Sequence, residues 1–217
     1  MKPLGKVKIK WSPEFSYAIG LIATDGSLSS DKRHISFTSK DLELINKFQK
    51  SLGTNNNIGK KSSGSQKLKK YYFVHIGDVL FYKFLLTIGL MPRKTKIIGN
   101  IDIPNEYFFD FLRGHLDGDG TFYSYWDKRW KSSFMFYTVF VSASKNHIEW
   151  LQNMIFNFLR IKGHITKSKN RSCYQLKYAK KDSLKLLQKI YYSNNVVCLK
   201  RKRLKIQKAL SIMDLGL

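Results

Sequence analysis

Apolar positions in this chain recur at helical spacing in some segments and alternate with polar positions in others. In segment 33–39, Ile35 and Phe37 alternate with polar residues, which is typical of a half-buried strand. In segment 41–52 every third or fourth residue is apolar, which indicates an amphipathic helix. From the start of the chain, the pattern predicts a helix ending near residue 26, strands over 27–30 and 33–39, a helix over 41–52, a turn over 60–70, a strand over 71–76 and a helix over 79–88.

The same order of elements recurs in the second half of the chain. It predicts strands over 121–126, 134–142 and 174–178, and helices around 148–158 and over 183–191. Four apolar positions of the first copy, Leu42, Ile45, Phe48 and Leu52, match Ile148, Leu151, Met154 and Phe158 at a constant offset of 106 (148 − 42, 158 − 52). Self-similarity at a long, fixed offset indicates that one module is present twice.

Each copy opens on an apolar run that closes on Asp-Gly. Residues 18–26 read AIGLIATDG and residues 112–120 read LRGHLDGDG, so that Asp25 aligns with Asp119. Ser12 and Pro13 carry the cap and first-turn chemistry of a helix start. We expect Gly26 to end this helix with a positive φ.

Small residues in both runs predict that the two helices pack closely. Gly20 and Gly114 align across the copies and are the candidate contact residues, helped by small neighbours at Ala18, Ala23 and Gly118. The carboxyl end of a helix carries unpaired carbonyls and partial negative charge. Two such ends, each with an Asp, offer oxygen ligands to a hard divalent cation such as Mg²⁺.

Both runs resemble the motif of the LAGLIDADG homing endonucleases, and the chain has the size and double-motif layout of that family's single-chain members. The runs depart from the motif at Ala23, Arg113 and His115, but not at the final acid. The resemblance implies that Asp25 and Asp119 are the metal-binding catalytic residues. It gives Asp117, at the first acidic position, a structural role.

The resemblance also implies an α/β (α+β) fold. The expected architecture is a pseudo-twofold duplicated αββαββα saddle, with two four-stranded antiparallel sheets and the two motif helices at the central interface. We expect an N-terminal half over residues 1–100 and a C-terminal half over residues 101–217.

The implied mechanism is metal-assisted phosphodiester hydrolysis, in which each site cuts one strand. Backbone carbonyls at Thr24 and Gly118 would complete the coordination of Mg²⁺ or another divalent cation. Lys94 and Lys202, which match at an offset of 108 (202 − 94), are the candidate basic residues that stabilise the transition state or order the water network. Simple phosphate binding or a solvated position is the alternative for both lysines.

The charge of the chain favours a polyanionic partner. There are 39 Lys and Arg against 15 Asp and Glu, a net charge of +24 spread along the whole chain. Strand parity and the family's docking mode place a first set of residues on the base-reading faces: Ser29, Asp31, Arg33, His34, Ser36, Thr38, Tyr123, Tyr125, Asp127 and Arg129. A second set lies in loops or at strand edges and is expected to contact phosphates: Lys60, Lys61, Lys67, Lys69, Lys70, Lys167, Lys169 and Arg171.

The cysteines and the apolar segments of the chain bear on where the protein is located. The two cysteines, Cys173 and Cys198, lack metal-ligand spacing and are expected to stay reduced. The residues at the start, MKPLGKVKIKW, lack the apolar core segment of a signal peptide, so we expect no secretory leader, and no apolar stretch comes near the roughly 20 residues needed to span a bilayer. We therefore expect an intracellular protein of the cytoplasm or an organelle matrix, not secreted, with no membrane partner.

The sequence predicts a monomeric, site-specific, double-strand DNA endonuclease that cuts a long asymmetric site and is encoded within a mobile intron. Two alternatives stay open. One is an RNA maturase that assists splicing, with intron RNA as its partner; the other is a catalytically idle DNA-binding protein of the same fold. Retention of both acids favours cleavage.

Overall fold

A computed structural model describes residues 5–62, 70–130, 132–168, 172–214 and 216. Within these ranges the helices are α1 (Pro13–Asp25), α2 (Leu42–Leu52), α3 (Val79–Thr87), α4 (Phe108–Gly118), α5 (Lys145–Leu159), α6 (Lys180–Ile190) and α7 (Lys200–Ser211). The strands are β1 (Gly26–Leu28), β2 (His34–Ser39), β3 (Ile58–Lys61), β4 (Tyr71–Gly77), β5 (Thr121–Trp126), β6 (Phe134–Ser142), β7 (His164–Lys167) and β8 (Tyr174–Ala179).

The chain divides into two compact units. Unit 1 consists of Met1–Lys94 and Ile101–Gly114, and unit 2 of Thr95–Asn100 and His115–Leu217. Helix α4 is therefore shared, because its residues up to Gly114 belong to unit 1. These units and the expected halves place residues 95–100 and 101–114 differently, and a boundary at residue 100 stays a prediction.

Each unit contains a four-stranded antiparallel sheet, as the predicted fold class requires. The strand order is β1-β2-β4-β3 in unit 1 and β5-β6-β8-β7 in unit 2. Both copies follow the order αββαββα, and the second copy adds α7. The predicted α+β architecture with two such sheets is confirmed.

One face of each sheet packs on helices to form the core. In unit 1, Phe37 of β2 stacks on Phe48 of α2, with their ring centroids 4.4 Å apart. In unit 2, Phe136 and Phe140 of β6 are fully buried. Because side chains alternate along a strand, residues between these core positions lie on the opposite sheet face, which we call the outer face.

Helix α1 begins as its sequence indicates but ends differently. The Ser12 hydroxyl accepts a hydrogen bond from the Phe15 amide at 3.1 Å. The expected positive φ at Gly26 is wrong: its φ is −78°, and the chain passes straight into β1. Glycine is needed there for space instead, because a β-carbon would lie 2.6 Å from Ile22 Cα.

The sequence pattern located most elements within a few residues but did not single out three of them. The short strands β3 and β7 are part of the predicted αββαββα order but have no predicted bounds, and the helix α7 has no counterpart among the predicted segments. Cys173 and Cys198 are both free thiols. Across the part of the chain that the structure describes, no helix has the length and apolar character of a bilayer-crossing segment.

Candidate functional site

The ends of the two motif helices place Asp25 and Asp119 in related but unequal positions. Asp25 is the last residue of α1 and is half-buried, whereas Asp119 lies one residue beyond α4 and is exposed. The following glycine is sterically required in both copies. A β-carbon on Gly120 would lie 2.7 Å from Leu116 Cα, which repeats the crowding at Gly26.

In unit 1, Lys94 binds the end of α1. Its side chain is buried, at 6% exposure, and its Nζ donates to the carbonyl oxygens of Gly26 at 2.5 Å and Thr24 at 3.5 Å. Carbonyls in the last turn of a helix have no partner within the helix, and a cation there also interacts favourably with the helix dipole. Lys94 therefore caps α1 beside Asp25.

In unit 2, Lys202 of α7 occupies the matching position at the end of α4. Its Nζ donates to the carbonyl oxygens of Leu116 (2.6 Å), Asp117 (2.8 Å), Gly118 (3.3 Å) and Gly120 (2.7 Å). The carbonyls of Thr24 and Gly118, expected as metal ligands, are thus acceptors of lysine ammonium groups here. A carbonyl oxygen has two lone pairs, so these bonds do not by themselves prevent metal coordination.

Asp117 joins α4 to the beginning of α7. It is buried, and its Oδ2 accepts a hydrogen bond from the Leu199 amide at 2.6 Å. Leu199 directly precedes α7, so this contact fixes the start of the helix that carries Lys202. The equivalent position in the first copy, Ala23, has no such acceptor.

Gly20 and Gly114 lie at a close backbone contact within unit 1. A β-carbon on Gly114 would lie 2.0 Å from the Tyr17 carbonyl oxygen and 3.2 Å from Gly20 Cα. The Ser16 hydroxyl also donates to the Tyr107 carbonyl at 2.9 Å. Helix α1 and residues up to Gly114 of α4 therefore pack backbone to backbone at these positions.

Two departures from the motif, Arg113 and His115, are buried and have specific partners. Within unit 1, Arg113 is fully buried and forms a 2.5 Å ion pair with Asp110. Within unit 2, His115 Nε2 lies 3.2 Å from His147 Nε2, and His147 Nδ1 lies 2.8 Å from the Gly99 carbonyl oxygen. That bond makes Nδ1 of His147 the protonated nitrogen, because a carbonyl only accepts. Nε2 of neutral His147 is then the acceptor for His115.

The residues of unit 1 that are expected to read DNA bases lie partly on a strand and partly in a turn. His34, Ser36 and Thr38 lie on the outer face of β2, whereas Ser29, Asp31 and Arg33 lie in the β1–β2 connection. Asp31 accepts hydrogen bonds at 3.1 Å from the amides of Arg33 and His34 and also pairs with the His34 ring. The hydrogen bond from the His34 side chain is the main cause that holds the pKa of Asp31 far below its ordinary value.

The residues of unit 2 that are expected to read DNA bases also lie partly on a strand and partly in a turn. Tyr123 and Tyr125 lie on the outer face of β5, and Asp127 and Arg129 lie in the β5–β6 connection. The Arg129 guanidinium donates to both carboxylate oxygens of Asp127, at 3.2 and 3.1 Å. This hydrogen bonding lowers the pKa of Asp127. Burial raises the pKa of Tyr123.

Lysines expected to contact phosphates lie on the edge strands and beside them. Lys60 and Lys61 of β3 are exposed, as are Lys70 next to β4 and Lys167 on β7. Lys60 Nζ lies 5.4 Å from the Tyr72 ring centroid, a cation–π distance. Four further candidates, Lys67, Lys69, Lys169 and Arg171, lie outside the described residues.

Sequence analysis missed a basic cavity beside the second motif. Arg201, Lys202 and Lys205 of α7 line it together with Thr121 and Phe122, and its volume is about 110 Å³. Thr121 follows Gly120 directly, so the cavity begins two residues from Asp119. The signal was present as the run of basic residues at 200–205, but only a helix with this spacing directs three of them to one place.

Oxygen donors at these helix ends suit a hard divalent cation. Asp25 and Asp119 each supply a carboxylate next to main-chain carbonyls. Among the described residues no group of three or more His, Cys, Asp or Glu side chains forms a metal cluster. A metal bound here would therefore complete its shell with main-chain oxygens, water or substrate phosphate, as Mg²⁺ commonly does.

Comparison with known proteins identifies the fold. Residues 12–89 match the family model of the LAGLIDADG-like domain. No curated protein matches the chain in sequence. The I-LtrWI LAGLIDADG homing endonuclease bound to its target DNA matches with a TM-score of 0.61 and 11% identity, covering 93% of this chain and 90% of that one.

Two further structures have the same fold. I-DmoI in complex with DNA and Mn matches with a TM-score of 0.54 and 16% identity, over 84% of this chain and 98% of that chain. The N-terminal LAGLIDADG domain of DUF199/WhiA matches with a TM-score of 0.54 and 16% identity, over 86% and 85%. The chain therefore has the LAGLIDADG fold, and its residues 12–89 are similar to a LAGLIDADG-like domain.

Proposed function

We propose that this chain, with its LAGLIDADG fold, is a site-specific endonuclease that hydrolyses both strands of duplex DNA with a divalent metal. The observation that carries the proposal is the shared construction of the two motif ends. Each has an Asp-Gly at the end of a helix and a lysine ammonium bound to the adjacent carbonyls. A single such end also serves as an ordinary helix stop, but a matched pair supports a paired function.

Charge and fold support duplex DNA as the substrate. A net charge of +24 favours binding to the phosphate backbone through release of counterions. I-LtrWI and I-DmoI, which share the fold, are bound to DNA in their structures. Each unit also presents an antiparallel strand pair, a shape that the major groove admits.

We assign Asp25 and Asp119 as the metal-binding carboxylates, one for each strand cut. When bound, Mg²⁺ or a similar cation lowers the pKa of a coordinated water and neutralises charge on the attacked phosphate. I-DmoI, described in complex with Mn, supports a divalent metal.

Lys94 and Lys202 are assigned as positioning residues. Their ammonium groups bind the carbonyls on either side of each Asp, and so hold the helix end in one geometry. This assignment differs from the role expected from the sequence, which is stabilisation of the transition state or ordering of the water network. In it the lysines act through Asp25 and Asp119, by fixing where each carboxylate presents its oxygens.

The proposed target is a long asymmetric site, recognised by a monomer and associated with intron homing. Asymmetry follows because the two strand pairs carry different outer-face residues: Ser and His in unit 1, Tyr in unit 2. A DNA-binding protein without nuclease activity is the second candidate. The same fold occurs in the WhiA domain, which is not described as an endonuclease.

The test is cleavage of a random-sequence plasmid library in Mg²⁺, followed by mapping of the ends. We expect double-strand breaks at one family of sites, and none with Asp25→Asn combined with Asp119→Asn. The double variant should still bind the recovered site, since an amide preserves the shape of the side chain. Cleavage that survives in the double variant contradicts the proposed chemistry, and binding without any nicking by the wild type supports the second candidate. Faster splicing of an intron-containing RNA without DNA cleavage would identify the maturase alternative.

A further inference from the structure

The first strand pairs of the two units have outer faces of different chemistry. In unit 1 the β1–β2 face carries polar side chains: Ser27, His34, Ser36 and Thr38. In unit 2 the β5–β6 face carries Tyr123, Tyr125, Met135 and Tyr137, all at least partly exposed, whereas Val139 on the same face is buried. We call this second set the tyrosine face. Its side chains alternate with the buried core residues Phe122, Phe134 and Phe136.

The tyrosines of this face form one ordered block. Tyr123 and Tyr137 are directly opposite in the strand register, with ring centroids 5.2 Å apart and 17° between the planes. Tyr125 stacks on Tyr137 at 6.3 Å and 5°. Because the rings are nearly parallel and stack on one another, their faces are partly occupied by the neighbouring rings. This arrangement suits contact with groups in a groove better than stacking of unpaired bases.

The block keeps a large contact area without a partner in the described structure. Tyr125 is 44% exposed although it is paired with Met135 in the strand register. A tyrosine has only two side-chain torsions, so holding it in place for a ligand costs little entropy. Preordered aromatic area of this kind is typical of a recognition surface.

Lysine side chains lie beside the tyrosine face. Lys128 is exposed in the β5–β6 connection, where Arg129 is paired with Asp127, and Lys177 of β8 pairs in register with Val139. An occupant must therefore combine negative charge with apolar groups. The major groove of DNA does so where thymine presents its C5-methyl group, which no other standard base carries there.

Resting on the proposed function, we propose that the tyrosine face determines specificity by contacting thymine methyl groups. The half-site bound by unit 2 is then rich in A·T pairs. The half-site bound by unit 1 is read through hydrogen bonds instead. Ser36 and His75, paired at 2.6 Å across β2 and β4, are the central residues of that polar face.

The first test is selection of bound duplexes from a random pool without divalent metal, followed by uracil substitution in the recovered site. Uracil pairs as thymine does but lacks the methyl group. We expect a thymine-rich half-site in which each contacted thymine replaced by uracil weakens binding about fourfold, as expected for one buried methyl. The same replacement in the other half-site should leave affinity unchanged.

Two variants locate the effect on the protein. Tyr125→Ser and Met135→Gln remove apolar surface from the tyrosine face. In each variant we expect a smaller loss of affinity on replacing thymine by uracil, which we call the uracil penalty, than in the wild type. Tyr192→Ser is the matched control, because Tyr192 is a 53% exposed tyrosine of unit 2 outside this face. It should keep the full penalty.

The outcomes separate the two proposals. Equal uracil penalties in the two half-sites, or a full penalty in both face variants, would overturn the role of the tyrosine face and leave the nuclease proposal standing. Failure to recover any duplex from the pool would overturn both, because DNA recognition itself would be absent.

Discussion

In unit 1 the motif helix is capped by a lysine from a short turn, whereas in unit 2 it is capped by a lysine from a full helix. Lys94 is almost wholly buried and binds two carbonyls, with Asp25 still inside α1. Lys202 is half-buried and binds four carbonyls, with Asp119 already outside α4. Intrahelical hydrogen bonds therefore hold Asp25, while Asp119 depends more on the lysine beside it.

The largest effect should come from replacing one of the two carboxylates at a time. Asp25→Asn and Asp119→Asn, made singly, should each slow cutting of one strand by a factor of about a hundred or more, the scale seen when one group that stabilises transition-state charge is removed. The product should be a nick on the strand that the intact Asp cuts. Strand-specific end labelling measures this. Equal loss on both strands in either variant would show that the two ends do not act separately.

Replacing each lysine singly should have a different main effect: on activity for Lys202 and on stability for Lys94. We expect Lys202→Met to slow cutting of its strand by about 10- to 100-fold and to raise the Mg²⁺ concentration required, because the support of a metal ligand is removed. Lys94→Met should affect activity less but lower the free energy of unfolding by about 1–3 kcal/mol, because it leaves buried carbonyls without a donor.

Cleavage rates across a Mg²⁺ titration and urea unfolding measure the two effects. Lys208→Met, on the exposed side of α7, is the control and should change neither. A larger activity loss in Lys94→Met than in Lys202→Met would contradict the comparison.

The close backbone approach at Gly114 predicts that a β-carbon at this position lowers the stability of the protein. Gly114→Ala places a methyl group 2.0 Å from the Tyr17 carbonyl oxygen, and backbone cannot move aside as a side chain does. We expect the free energy of unfolding to fall by about 1–3 kcal/mol or more. Gly99→Ala is the matched control, since nothing lies within 4 Å of its added β-carbon. Denaturant titration of both variants gives the difference.

The basic cavity of unit 2 predicts an effect on binding that does not depend on sequence. If Arg201 and Lys205 hold a phosphate, Arg201→Ala with Lys205→Ala should weaken binding to all duplexes alike. The slope of log affinity against log salt should become shallower by about 0.9 for each phosphate that the variant no longer neutralises. Affinity measured over a salt series checks this. An unchanged slope would assign the cavity no role in phosphate binding.

The smallest effect concerns the aspartates of the two hairpin connections. Hydrogen bonds lower the pKa of Asp31 and of Asp127 in the folded state, so each stabilises the protein above its unfolded pKa. This stabilisation is lost as the pH falls below the ordinary value of 3.8 towards the lower folded pKa. Asp31→Asn should therefore reduce stability slightly at pH 7, and the difference from wild type should vanish in strong acid. Unfolding measured at several pH values tests the sign.

Sequence patterns located the elements with strong local signals. Ser12 and Pro13 predicted the start of α1, and the segments 121–126 and 134–142 coincide with β5 and β6. Helix α7 was missed because its run of lysine and arginine resembles a solvated charged segment. Its stability comes instead from Ile206, Ala209 and Leu210, which are buried in the core.

The candidate site was only partly accessible from the sequence. Alignment of the copies singled out Asp25, Asp119, Lys94 and Lys202 but gave no geometry for the lysines. Their bonds to helix carbonyls depend on how distant segments pack, which no local pattern encodes. Burial of Arg113 was unforeseen for the same reason, although its partner Asp110 lies one turn earlier on the same helix.

The sharing of segments between the units bears on any attempt to build hybrid proteins from exchanged halves. Residues 101–114 belong to the expected C-terminal half but pack with unit 1. Residues 95–100 belong to the expected N-terminal half but pack with unit 2. A gene fusion joined at residue 100 would thus pair Gly20 and Tyr17 with a foreign helix. Hybrids made from this chain should carry residues 101–114 along with the first half, so that α1 keeps the glycine surface it packs against.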